Sequence, residues 1–161
     1  MNYIKITSPD IENGLGFRVT LWISGCSLHC KGCHNPETHN PLAGKPFNSE
    51  VMELLLEKLE KPYIQGLTLS GGNPLDSNPK ELIKICKTVK EKYPKKDIWL
   101  FSGYTLEEII GTEKEEVLDY VDFLIDGPFI LRQKDTSLAF KGSKNQKIYK
   151  KENNKWNEIK L

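Results

Sequence analysis

An apolar run, Val19-Thr20-Leu21-Trp22-Ile23, opens directly into Ser24-Gly25-Cys26-Ser27-Leu28-His29-Cys30-Lys31-Gly32-Cys33-His34-Asn35, which puts three cysteines within eight residues. A chain with this stretch has to build a strand that ends in a loop turning three thiolates inward on one point. That point is a metal or a cluster. Three thiolates suit a 4Fe–4S cube with one iron left without a protein ligand, because ordinary electron-transfer clusters take four. An open iron can bind a small molecule, so the Cys-x3-Cys-x2-Cys spacing suggests chemistry rather than electron storage. The competing reading is a structural zinc knuckle of the Cys3His kind, completed by His34 or His39. Zinc knuckles more often show Cys-x2-Cys pairs, which weighs against it. A disulfide framework fails on arithmetic, since three crowded thiols cannot all pair.

The rest of the composition bounds the setting. A length of 161 residues fits one compact domain, 1–161, with no linker to divide it. A net charge of +1 gives no global reason to expect nucleic acid or an anionic membrane as partner. No apolar run approaches the roughly 20 residues of a membrane-spanning helix. Met1 to Thr7 alternates like a strand and lacks the apolar core of a signal peptide. The expected location is therefore the cytoplasm, where thiols stay reduced and available to metal.

Strand and helix patterns alternate along most of the chain. Strands are expected at Ile4 to Thr7, Phe17 to Ile23, Gln65 to Ser70, Asp97 to Phe101 and Val121 to Asp126. Ser49 can cap a helix from Glu50 to about Lys61, and Asn78-Pro79 starts another that runs to about Tyr93. Thr105-x-x-Glu108 is a capping box, and Glu113, Glu115 and Glu116 form a solvated helix face. Cys86, at helical spacing from Leu82 and Val89, reads as a packed core residue rather than a fourth ligand. From Lys134 onward, short apolar runs between polar turns suggest hairpin strands or a loosely ordered tail. The order of elements makes this an α/β fold.

Three further positions lie where parallel strands deliver ligand sites, at their carboxyl ends. Gly71-Gly72-Asn73 follows the third strand, and two glycines there let a ligand approach the backbone without Cβ obstruction. Ser102 follows the fourth strand and Asp126 ends the fifth. Asp126 is a candidate for touching a ligand and equally a turn residue, while Ser102 is the weaker ligand candidate of the two.

Cys26-x3-Cys30-x2-Cys33 resembles the motif of the radical S-adenosylmethionine (SAM) enzymes, and Gly25-Cys26…Cys30-Lys31-Gly32-Cys33-His34-Asn35 resembles the glycyl-radical-enzyme activases among them. Later blocks, Leu124-Ile125-Asp126-Gly127-Pro128-Phe129 and Lys141-Gly142-Ser143-Lys144-Asn145-Gln146, are similar to those of the activases that serve anaerobic ribonucleoside-triphosphate reductase. The resemblance implies a partial, open β/α barrel of the radical SAM type with short C-terminal strands or a tail. A closed eight-unit barrel usually needs about 250 residues, and the sequence supplies some four or five strand–helix units. An open side would admit a glycine loop of a large protein substrate.

The resemblance also implies roles. Cys26, Cys30 and Cys33 would hold three irons of the 4Fe–4S cluster. Gly71, Gly72 and Asn73 would position the methionyl end of SAM, although Asn73 stands where the Gly-Gly-Glu motif of such enzymes has an acid. Gly32 and His34 would line the adenine pocket, largely through backbone atoms. No side chain beyond cluster and SAM would act in catalysis. The implied partners are the anaerobic ribonucleoside-triphosphate reductase as protein substrate and a low-potential electron donor such as flavodoxin. An activase of another glycyl radical enzyme and a non-catalytic zinc-binding module are the alternatives.

Overall fold

The computed structural model describes residues 1–161. Eight strands form one mixed sheet in the order β3-β1-β2-β4-β5-β6-β7-β8. Its centre is parallel: β2 (Phe17–Ile23), β4 (Ile64–Gly71), β5 (Asp97–Phe101) and β6 (Phe123–Asp126). Parallel neighbours need long crossovers. Here these are α1 (Ser49–Leu59), α2 (Pro79–Lys92), and a third connection of α3 (Leu106–Ile109) followed by the 3-10 segment Glu113–Tyr120. Antiparallel strands flank the centre: β1 (Asn2–Asp10) and β3 (Lys45–Pro46) on one side, β7 (Lys147–Glu152) and β8 (Lys155–Ile159) on the other.

The partial β/α barrel expected from the sequence is therefore not what forms. The sheet is open, and strand–helix units account for only its four middle strands. The physical reason lies at the edges. The turn at 11–16 is too short for a parallel crossover, so β1 comes back antiparallel to β2. Between β6 and β7 there is only the 3-10 turn Leu131–Gln133 and no helix, so β7 is antiparallel as well. The third crossover is weak too: Gly111, with φ of +86°, separates α3 from the acidic segment, which is 3-10 rather than α-helical.

Helix starts follow local chemistry. Asn78 accepts hydrogen bonds from Lys80 N and Glu81 N, with Pro79 opening α2. Asn48, one residue earlier than the expected Ser49, caps α1 by accepting from Val51 N at 3.0 Å. Thr105 and Glu108 form the reciprocal capping box.

All crossovers pack on one face. Leu55 and Leu59 of α1, Leu82, Ile85 and Val89 of α2, and Val117 and Leu118 join Val19, Leu21, Leu67, Leu69, Ile98 and Leu100 in one buried cluster. Cys86 belongs to it and is fully buried, and burial pushes its thiol pKa up to about 12. The opposite face carries a smaller cluster of Trp99, Ile125 and Ile148, with Phe101, Phe123 and Phe140 against it. Arg18 lies fully buried on that face, with Nη2 2.6 Å from Asp97 Oδ1 and Nε donating to Thr68 Oγ1 at 2.7 Å. No helix is long and apolar enough to cross a membrane.

Candidate functional site

The parallel strands all end on the same side, and the segments that follow them build a cavity of about 490 Å³. Cys26, Cys30 and Cys33 line it together with His34, Gly71, Gly72, Asn73 and Ser102. These residues come from the ends of β2, β4 and β5, so the order of strands in the sheet sets their meeting. The three thiols are free and each is half-buried.

The cysteine loop is fastened at its two ends. Gly25 N donates to Thr38 O at 2.6 Å and Cys26 N to His39 O at 3.1 Å. Thr38, buried in the 3-10 turn Pro36–Thr38, also donates through Oγ1 to Asn35 O at 2.5 Å. The helix-hostile stretch after the cysteines thus closes the loop back on its own start. Cys33 N donates to Cys30 O at 3.1 Å, and Cys33 Sγ accepts from Asn35 N at 3.4 Å. Burial raises the Cys33 thiol pKa most; the amide of Asn35 opposes this, and the neighbouring Cys26 and Cys30 add to the rise.

Gly71 and Gly72 have a second use beyond leaving room for a ligand. Gly72 N donates to Ile23 O and Asn73 N to Gly25 O, at 2.9 and 2.8 Å, which joins the end of β4 to the root of the cysteine loop. A Cβ on Gly72 would lie 2.3 Å from Gly25 O, and one on Gly71, at φ +110°, 2.4 Å from Ile23 O. Only glycine allows the two strand ends to approach this closely.

Asn73 is 1% exposed. Its Oδ1 faces Gly103 N at 3.5 Å, while its Nδ2 has no partner in the protein. An unsatisfied buried donor costs about 1–3 kcal/mol, so a polar ligand in this cavity would offset a standing penalty. Ser102 Oγ is turned to its own loop, accepting from Tyr104 N at 2.9 Å. Gly32 and Asp126 are not among the lining residues. Leu131 packs over Gly32. Asp126 is buried and its carboxylate accepts from Leu106 N at 2.7 Å and Lys147 N at 3.2 Å, tying α3 and β7 to the end of β6. Burial raises its pKa, against those two amides.

Other lining residues escaped the sequence reading. Glu12 and Asn13 reach the cavity because buried Asp10 accepts from Glu12 N, Asn13 Nδ2 and Thr20 Oγ1, each at 2.7 Å. Phe129 lies edge-on to His34, ring centroids 5.1 Å apart, and was legible as part of the Asp-Gly-Pro-Phe block. Asp76, outside the lining but bonded to Ser27 and Tyr104, had no signal, since those partners are 49 and 28 positions away.

The donor set distinguishes the possible occupants. No three His, Cys, Asp or Glu side chains gather closely enough for a single metal ion. Thiolates on one zinc, each about 2.3 Å from it, sit within ~4 Å of one another. The corners of an iron–sulfur cube bind thiolates on separate irons and hold them wider apart. His39 is turned to His29, centroids 4.7 Å apart, and His34 to Phe129. Three half-buried thiols around a cavity with room to spare fit a cluster better than a knuckle.

Comparison with known proteins agrees with that geometry. The family described as a 4Fe-4S single cluster domain matches residues 12–149. The chain is 43% identical over 154 residues to the anaerobic ribonucleoside-triphosphate reductase-activating protein of Pasteurella multocida (strain Pm70), covering 93% of this chain and 98% of that one. It is 40% identical over 157 residues to the protein of the same name from Enterobacteria phage T4, covering 97% and 98%. The Escherichia coli (strain K12) protein of that name is 38% identical over 152 residues, with 92% and 98% covered.

Proposed function

Because this chain belongs to the anaerobic ribonucleoside-triphosphate reductase-activating proteins, we propose that it activates such a reductase by installing a glycyl radical on it, using a 4Fe–4S cluster and SAM. Cys26, Cys30 and Cys33 would hold the cluster and leave one iron for the ligand. Held there, the cluster would supply the low-potential electron for reductive cleavage of SAM to methionine and the species that takes a hydrogen atom from the target glycine.

The chain's own residues bind and orient. Gly71 and Gly72 hold the end of β4 against the cysteine loop, which fixes the distance between thiols and methionyl group. Asn73 offers a buried donor to a polar end of SAM. His34, edge-on to Phe129, makes a wall on which adenine can pack. The sheet face without helices leaves an approach for the protein substrate, past Leu138 and Phe140, which line the cavity. A flavodoxin-like protein would supply the electron in the cytoplasm, where the thiols stay reduced.

The observation that carries this reading is the convergence of three free thiols and the Gly71-Gly72-Asn73 turn on one cavity. The test is anaerobic. The protein is reconstituted with iron and sulfide, reduced, and its EPR spectrum recorded with and without SAM. A 4Fe–4S signal that changes on adding SAM, followed by a glycyl radical signal once the reductase is added, is the expected result. A colourless protein that retains zinc and ignores SAM would end the proposal.

A further inference from the structure

Between Cys26 and Cys33 the loop has almost no secondary structure of its own. Ser27, Leu28 and His29 make hydrogen bonds through Ser27 alone, to Asp76 and Tyr104. Asp76 Oδ2 accepts from both Ser27 N and Ser27 Oγ, each at 2.9 Å. Its other oxygen, Oδ1, accepts from the Tyr104 hydroxyl, and Ser27 Oγ lies 3.4 Å from that hydroxyl. One carboxylate thereby joins the residue after Cys26, the turn after β4 and the turn after β5.

The carboxylate is itself well anchored. Asp76 ends the 3-10 turn Pro74–Asp76, in which Asp76 N donates to Asn73 O at 2.8 Å and Ser77 Oγ to Pro74 O at 2.6 Å. Pro74 and Leu75 of that turn are buried. The fastening is therefore rigid on the Asp76 side and holds an exposed loop on the other. Hydrogen bonds to an ionised acceptor are about twice as strong as neutral ones, which suits a lone tether.

We infer that Asp76 is a positioning residue for the cluster: through Ser27 it fixes the Cys26 end of the ligand loop and withholds the Ser27 amide from the cysteine sulfur. The inference rests on the proposed function, in which Cys26 is a cluster ligand. Its second half follows from charge. A donor to a cluster sulfur favours the more negative, reduced state and raises the potential, and hydrogen bonds to the sulfurs are among the terms that set it. With its N–H committed to Asp76, Ser27 makes no such contribution, which keeps the potential low.

Two measurements test this in the full-length chain. The first needs no metal. In the metal-free protein, Asp76→Ala should make the Ser27 amide exchange with solvent about tenfold faster, the loss expected for a hydrogen bond to a charged acceptor. Asp76→Asn should restore most of that protection, since the amide oxygen can accept from Ser27 while its nitrogen donates to Tyr104. The second uses the reconstituted protein. Asp76→Ala should release iron to a chelator about tenfold faster and shift the cluster's reduction potential to more positive values, which a merely structural contact would not do. Unchanged exchange in Asp76→Ala overturns the tether. Faster exchange with unchanged iron release and potential overturns the positioning role. A parent protein that assembles no cluster overturns the proposed function and this inference together, whereas a parent that assembles one and matches Asp76→Ala overturns this inference alone. If Asp76→Ala does not fold, the pair Ser27→Ala and Tyr104→Phe, which removes the side-chain bonds and spares the carboxylate, carries the same two readouts with intermediate effects expected.

Discussion

The four cysteines occupy two kinds of surroundings, and the contrast decides their chemistry. Cys86 is packed among Leu82, Ile85 and Val89 on α2, with its thiol pKa pushed up to about 12, so it stays protonated at neutral pH and cannot act as a ligand without upheaval. Cys26, Cys30 and Cys33 are half-buried and border the cavity. Cys86→Ser should therefore leave iron uptake at the parent level while lowering stability by about 1–3 kcal/mol, the cost of burying a hydroxyl in an apolar cluster. Replacing any one of the other three by serine should abolish stable uptake. Iron quantified after reconstitution, beside a thermal melt, checks both statements, and loss of iron in the Cys86 variant would sink the division. The same reasoning applies to Asn73. Asn73→Ala removes a buried, unpartnered donor, so the metal-free protein should be no less stable through that atom, yet SAM should bind roughly tenfold more weakly, as expected for one lost hydrogen bond in a buried site. Calorimetric titration of the reconstituted protein measures it.

At the scale of elements, local sequence carries a great deal and edge pairing carries the rest. β2 and β5 occur where the apolar runs Phe17 to Ile23 and Asp97 to Phe101 place them, and α2 starts at Asn78-Pro79, because strand propensity and capping act over a few residues. The barrel expectation failed because closure is decided by what pairs with β1 and β7. Those partners depend on how the turn at 11–16 and the stretch after β6 steer the chain, and neither carries a short-range pattern. Much of the site was legible for a related reason: Cys26, Cys30, Cys33 and Gly71-Gly72 lie at strand ends, whose positions the local pattern does specify. Asp126 is a candidate ligand contact or equally a turn residue on the sequence, and its oxygens accept from the first amide of α3 and the first of β7. The contact between β4 and the cysteine loop can be tested directly. Gly72→Ala sets a methyl group 2.3 Å from Gly25 O, and relieving that overlap means moving the loop root. The variant should lose about 1–3 kcal/mol of stability, the usual cost of overpacking, and also retain less iron. Gly111→Ala, at φ +86° where the added methyl group meets nothing within 4 Å, carries backbone strain without a clash at the loop root, and should lose stability yet keep its iron.

The whole molecule depends on how its open sheet is finished on the cavity's far side. β7 pairs with β6 and contributes Ile148 to the face without helices and Tyr149 to the face with them, so a single strand seals both cores. β8 adds mostly exposed or half-exposed residues and contacts the larger core through Trp156. Two truncations separate these contributions. Removing residues 155–161 leaves β7 as the edge, with Lys147, Lys150 and Lys151 along it. Charged side chains, lysine above all, discourage pairing between exposed edges. This variant should stay folded, elute from a sizing column as the parent does and melt somewhat lower. Removing residues 147–161 instead bares β6, whose Phe123, Leu124 and Ile125 are apolar in sequence, and uncovers the buried Ile125 and Leu124. It also strips Asp126 of one of its two amide donors, at Lys147. This second variant should aggregate or melt with little cooperativity, and its cavity should not take up a cluster. Sizing chromatography with a thermal melt distinguishes the two. If the longer truncation behaved like the shorter, the parallel centre would be self-sufficient, and the antiparallel strands beyond β6 would be an addition to the fold rather than its closure.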